Sequence, residues 1–306
     1  MRTATWENIG TDVQNSKTLN EVLANAKLDF EVETKPLYYG NNILVPDKVA
    51  TVRKDNEQLL GVVGKDYKLY QNKDAFDFVN YINEDVQFVK AGMTYTGMVY
   101  IIARLPQMNI LNDGFQPYVI FKNGFNGIYS LQASICPLRI VCTNQFNIAF
   151  KQSPNSISIR HSINMASRME DAKKVMESTA HYMLHLKDES ERYAMTKLSA
   201  YQVDGILNEV FELPKNATER KATNIIEARE QFLNIYNNND NQNFKGTAWG
   251  MINAYSDFVT HKEPGRKTEN IDEATFMSVT FNPAVFKTFM DAIERVRAQQ
   301  PSLFIN

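Results

Sequence analysis

The chain predicts an α+β fold: an antiparallel sheet with short helices over residues 1–163, followed by a mainly helical domain over 164–306. Three observations carry this expectation. β-rich runs separated by turn residues fill the first half, and apolar residues at steps of three and four fill the second. Only two short helical patterns interrupt the strands, whereas a doubly wound parallel sheet needs a helix after nearly every strand.

In chain order, Thr18 to Ala26 reads as a helix whose cap is Thr18, with Glu21 at capping-box spacing. Phe30-Glu31-Val32-Glu33, Ala50-Thr51-Val52-Arg53 and Leu59 to Val63 read as strands, the last two joined through Asp55-Asn56-Glu57 as a hairpin. Lys73 to Tyr81 spaces its apolar residues as a short helix. Sheet text resumes with Thr94 to Ala103, closed by Pro106, and continues through Tyr118–Phe121, Ile128–Leu131, Arg139–Cys142 and Ser156–Ile159. Asn123-Gly124 and Asn126-Gly127 supply turn chemistry, and the whole block predicts one antiparallel sheet.

From Ser162 the pattern changes. Met169, Ala172, Met176, Thr179, Met183 and Leu186 form the stripe of a long amphipathic helix, and further helices are expected at Ala200–Phe211, Thr218–Tyr236, Thr247–Val259 and Pro283–Ala298. The asparagine-rich run from Asn237 to Asn243 breaks them as an exposed loop.

The 306 residues are 43% hydrophobic and 22% charged, a folded-protein composition with room for two subdomains. A net charge of -2 removes the global basic footprint of many nucleic-acid binders, so any polyanion site has to be a local patch. The first ten residues contain no apolar secretory core, and no window approaches a membrane span, so a soluble protein that is not exported is expected, with no membrane partner. Cys136 and Cys142 on one strand would stand roughly 20 Å apart, too far to bridge, which fits reduced, buried thiols.

No complete catalytic motif stands out. Gly61-Val62-Val63-Gly64-Lys65 lacks the glycine and hydroxyl positions of a phosphate loop, and no glycine-flanked serine elbow occurs. His181 and His185 share a helical face at metal-ligand spacing, but Tyr182 stands where the metalloprotease pattern wants glutamate, so no metal, cofactor or catalytic residue is assigned. Arg139 is a charge inside an apolar run, Cys136 to Gln145. It is either neutralised by an acidic side chain or presented to an anion. With it, Lys65, Tyr67, Lys68, Tyr70, Lys122, Arg160, His161 and Arg168 interleave cations with rings, a mixture that tracks phosphates and stacks bases of single strands.

Ordered landmarks carry a resemblance: Trp6 with Gly10, Ala26 to Val32, Val63-Gly64-Lys65-Asp66-Tyr67 with Gln71-Asn72, Pro137 to Asn144, Arg160-His161-Ser162, and Gly246-Thr247-Ala248-Trp249-Gly250 with Asn253-Ala254. The chain resembles the phage/plasmid-like protein family catalogued as domain of unknown function 932. The resemblance implies a bacterial host cytoplasm and a setting in the biology of phage, prophage or plasmid DNA. The sheet-then-helix order is also similar to single-strand annealing proteins of the RecT and Redβ kind, an analogy of fold. The resulting expectation is a non-catalytic protein that binds single-stranded DNA in recombination or replication. The alternative is a protein-binding factor, for example an inhibitor of a host defence system, that uses the methionine-bearing helical half against a host or phage protein. Edge strands and the long helix also make a homo-oligomer an expectation.

Overall fold

A computed structural model describes residues 5–82, 85–140, 143–146, 148, 155–162, 173, 177, 179–238, 243–261, 270–282 and 284–299. The N-terminal half forms two antiparallel sheets: the strands expected after Thr94 fall in one, and the hairpin of Ala50–Arg53 and Leu59–Val63 in the other. The larger has eight strands: β1 (Thr11–Asp12), β5 (Gln87–Met93), β6 (Met98–Arg104), β7 (Met108–Ile110), β8 (Asp113–Gly124), β9 (Leu131–Arg139), β10 (Asn144–Gln145) and β11 (Ser156–Ile159). Its order is β1-β5-β6-β8-β9-β10, with β11 also pairing β9 and β7 pairing β8. The smaller sheet is β2 (Val32–Tyr39), β3 (Ile43–Arg53) and β4 (Leu59–Gly64) in that order.

Local chemistry explains most boundaries. Helix α1 (Leu19–Asn25) starts where the Thr18 hydroxyl accepts the Glu21 amide at 3.2 Å. The Glu21 carboxylate reaches back to the Lys17 amide at 2.7 Å, one residue before the cap. The helix expected at Lys73–Tyr81 is two pieces, α2 (Asn72–Ala75) and a 3-10 turn (Asp77–Tyr81), because Phe76 leaves helical backbone angles between them. The run expected as one strand from Thr94 is a turn followed by β6, since Gly97 at φ +84 lets the chain reverse. Ile128 to Ser130 likewise belong to the loop before β9, and Asn123-Gly124 end β8 instead of forming its turn.

The small sheet extends beyond the hairpin expected from the sequence. β2 and β3 run on together to a tight turn at Gly40-Asn41-Asn42, with Tyr38 opposite Leu44 and Tyr39 opposite Ile43. This far end is an arm, and those four side chains are all at least half exposed. At the other end, the Gln71 side-chain amide pairs with both backbone groups of Val32, accepting its N–H at 2.9 Å and donating to its carbonyl at 2.8 Å.

The C-terminal half is helical: α3 (Thr179–Met195), α4 (Ala200–Val210), α5 (Glu219–Tyr236), α6 (Ala248–His261), α7 (Ile271–Phe281) and α8 (Ala284–Ala298). α7 had no counterpart in the sequence reading. Met169, Ala172, Met176, Cys142 and Arg168 lie outside the described residues. Thr179, Met183 and Leu186, the described members of the stripe, are buried and serve the core.

One face of the large sheet packs through Val119, Phe121 and Ile135 into a core that continues into Trp249, Phe232 and Phe289 of the helices. The division near residue 163 is therefore a change of secondary structure within a shared core. The opposite face carries Tyr100, Ile102 and Ile120, and is covered by Trp6 and by Phe276 and Phe281 of α7. Among the described residues, no helix is long and apolar enough to cross a membrane.

Candidate nucleic-acid interface

The predicted site residues divide between three places. At one end of the large sheet, Arg139 closes β9 opposite Phe115 of β8. It is 4% exposed, and its Nη2 lies 2.7 Å and its Nε 3.0 Å from the Asp113 carboxylate. Of the two roles open to this charge, burial against an acidic partner is the one realised. Arg139 is thus corrected from a phosphate contact to an internal ion pair.

Lys122 sits on the face covered by α7, beside Tyr100 and Gln132 in the strand register. Its ammonium lies 4.4 Å from the centre of the Phe281 ring and 6.0 Å from that of Tyr129. No carboxylate pairs with it among the described residues. Desolvation pushes its pKa down to about 8. Lys122 is therefore a half-buried cation packed on rings, unlike the open cations described next.

The remaining described candidates converge. The connector after β4 and the end of β11 are joined by two contacts: the Lys68 amide donates to the His161 carbonyl at 3.4 Å, and His161 Nδ1 lies 2.9 Å from the Lys68 carbonyl. A carbonyl oxygen only accepts, so Nδ1 carries the imidazole proton. The His161 ring stacks on Tyr67 with centroids 4.7 Å apart. Its Nε2 is buried without a partner, and burial lowers the ring's pKa. The Tyr67 hydroxyl donates to the Gly124 carbonyl at 2.9 Å, while the Tyr70 carbonyl accepts from the Asn123 side chain at 3.1 Å. Tyr67 and Tyr70 thus tie the connector to the end of β8. Their stacking role is narrowed, since one face of the Tyr67 ring is taken by His161 and Tyr70 packs against the core.

The cations around this joint are open. Lys68 and Arg160 are exposed, and among the described residues neither joins an ion pair. Lys65 is also exposed, but its ammonium is held by Asp47 at 2.9 Å, which raises its pKa. The arrangement suits an anionic backbone better than stacked bases: two unpaired cations, a third that can change partners, and rings already committed to internal contacts.

Other features lay outside the sequence reading. A cleft of about 390 Å³ opens between Lys17, Asn20, Lys73, Asp77, Asn80 and Phe88, away from every predicted residue. Cys136 is a buried free thiol whose pKa burial pushes up to about 12, which removes it as a nucleophile. His181 is exposed on α3, and among the described residues no group of three or more His, Cys, Asp or Glu is placed to hold a metal. The landmark Trp249 is fully buried against Phe146, its ring centre 5.7 Å away, and Gly250 beside it leaves no room for a side chain against Phe244.

Together these features define an α+β protein with a small cationic joint at one sheet end and, among the described residues, no assembled catalytic group. The family described as "Domain of unknown function (DUF932)" matches residues 59–278 by its sequence model, and the chain belongs to that family. The matched span takes in the joint, the sheet from β5 onward and the helices through most of α7. No curated protein and no solved structure matches the chain.

Proposed function

We propose that this chain is a non-catalytic protein that binds single-stranded DNA by its phosphate backbone at the Lys68–His161 joint, acting on phage or plasmid DNA in recombination or replication. The supporting observation is the mutual hydrogen bonding of Lys68 and His161, which ties the connector that carries Lys65 and Lys68 to the chain end of β11 that carries Arg160. Arg160 and Lys68 make the primary phosphate contacts, and Lys65 joins by exchanging Asp47 for phosphate. The mode is independent of base sequence, because such contacts carry no base information.

Three phosphate contacts predict a modest but definite salt dependence. Binding of a labelled oligonucleotide should fall with a log–log slope of about -2, a loss of roughly twentyfold between 50 and 200 mM salt. Arg160→Glu and Lys68→Glu should each weaken binding more than Lys287→Glu, which reverses an exposed charge on α8. Equal losses at all three would reject the joint as the binding site, and salt-independent binding would reject the phosphate-backbone mode.

A further inference from the structure

The second face of the large sheet is apolar where Trp6 and Phe276 cover it and polar toward the β11 edge. Ile157 and Ile159 of β11 turn into the core on the helix side. Ser156 and Ser158 therefore turn to the second face, and by the same alternation so does Arg160, two residues further on. Register then sets Tyr100, Lys122, Gln132 and Ser158 in one row across β6, β8, β9 and β11.

Cations stand at both ends of the polar part of this face. Lys122 is half-buried with its ammonium over the Phe281 and Tyr129 rings, and among the described residues that ammonium makes no hydrogen bond or ion pair. Ring faces attract the charge without supplying a lone pair, so its three N–H groups still need an acceptor. Arg160 is exposed and joins no ion pair among the described residues. Between the two, the Ser130 and Ser158 hydroxyls pair at 2.7 Å, and the Gln132 amide donates to the Ser134 hydroxyl at 3.1 Å. Two strand spacings and two residues of rise put the Cα atoms of Lys122 and Arg160 roughly 12 Å apart, a gap that two long side chains can close on one anion.

Acids are missing from this surface at the level of sequence. The chain has 35 Asp and Glu, yet residues 114–169, which include nearly all of β8 and the whole of β9 and β11, contain none. Of the acids on α7, Glu273 accepts the Tyr95 amide at 3.0 Å, at the opposite end of that helix from Phe281. Cations arriving from two sides and hydroxyls from beneath suit a tetrahedral anion, whose oxygens point in several directions, better than a planar carboxylate.

We propose that Lys122 and Arg160, with the Ser130, Ser158 and Gln132 side chains between them, form a seat for a phosphate group, on which a strand held at the Lys68–His161 joint lays its next phosphate. That the phosphate belongs to a DNA strand rests on the function proposed above; the seat itself rests on the two cations and the acid-free face. Arg160 directly precedes His161, so joint and seat are continuous.

The test follows the Lys122 side chain of the full chain by carbon-13 NMR, its signal assigned by its loss in Lys122→Met. Free, the ammonium titrates near pH 8, because burial disfavours its charge. An oligonucleotide on the seat should raise that midpoint toward the ordinary lysine value of about 10.5, and inorganic pyrophosphate should do the same. The fourth contact should also steepen the salt slope expected of the joint alone from about -2 to about -2.8, and Lys122→Met should return it to about -2. Ser158→Glu, on an exposed side chain, should weaken oligonucleotide binding about tenfold by setting a carboxylate between the cations. A midpoint raised by pyrophosphate with no oligonucleotide bound would support the seat and reject the strand as its occupant. An oligonucleotide that binds through Arg160 and Lys68 but leaves the Lys122 midpoint near 8 would overturn the seat and leave the joint standing. A midpoint that neither probe moves would likewise overturn it.

Discussion

Two arginines, at opposite ends of the large sheet, divide the roles between them. Arg139 is enclosed by the sheet and answered by Asp113. Arg160, just past β11, is exposed and joins no ion pair among the described residues. Both sit beside β-branched residues in the sequence, so the flanking residues do not distinguish them. What distinguishes them is the pairing of distant segments: β8 brings Asp113 to Arg139, while the connector brings backbone groups and the Tyr67 ring to the neighbour of Arg160. A charge on a strand is a structural group where the fold supplies its counter-charge, and a candidate for ligands where it does not.

The largest expected effect tests the closed end. Asp113→Ala takes away the carboxylate that both Nε and Nη2 of Arg139 reach, and should cost about 3–5 kcal/mol in urea unfolding; replacing both residues by apolar ones should recover most of it. An effect under about 1 kcal/mol would mean that the pair is solvated and that the contrast between the two ends is weaker than drawn.

Lys122 adds a second cation, half-buried and over a ring. Its folded pKa near 8 lies below its unfolded value, so the unfolded chain binds more protons between the two. Stability should therefore rise as pH increases from about 8 to 10.5, by roughly 3 kcal/mol at most, and Lys122→Met should abolish that rise. A pH-independent difference between the two proteins would sink this.

At the open end, His161 has a lowered folded pKa through burial. Its contribution is complete above the unfolded value of about 6.5 and is lost as pH falls toward the folded one. His161→Gln should flatten the acid side of the stability profile, measured by thermal melts from neutral pH downward. The smallest effects are expected from the exposed charges themselves. Asp47→Ala, which frees Lys65, should leave the melting curve essentially unchanged, and Arg160→Ala should stay within about 0.5 kcal/mol of the native chain. A large loss at Arg160 would make it a structural residue and erase the contrast with Arg139.

Short-range chemistry was readable in the sequence and long-range partnership was not. Thr18 with Glu21 marked α1, and the three-and-four spacing located α4, α5, α6 and α8 within a residue or two at their described ends. Gly97 was missed because β-formers surround it, although only its positive φ makes the turn. α7 was missed because Phe276 and Phe281 cover the second sheet face, a layer that a single-core reading does not anticipate. At the candidate site, Tyr67, Lys68, Arg160 and His161 were named for their residue types alone, and the bond from Lys68 to His161 spans 93 positions. Nothing local in the chain encodes that distance. The arm escaped notice for the opposite reason: its uncharged run between Pro36 and Pro46 was in plain view, but resembled ordinary strand text.

The clamp of Gln71 on Val32, with Pro36 further along, has a consequence for solubility. A long bare strand rim with tyrosines on it is a seed for irreversible fibre growth, in which each added chain extends the hydrogen-bonded ribbon. Here a side-chain amide occupies the first outward position, and an imino residue interrupts a later one. Tyrosine rings can then be displayed on β2 while that strand's outer rim stays a poor template for a further strand.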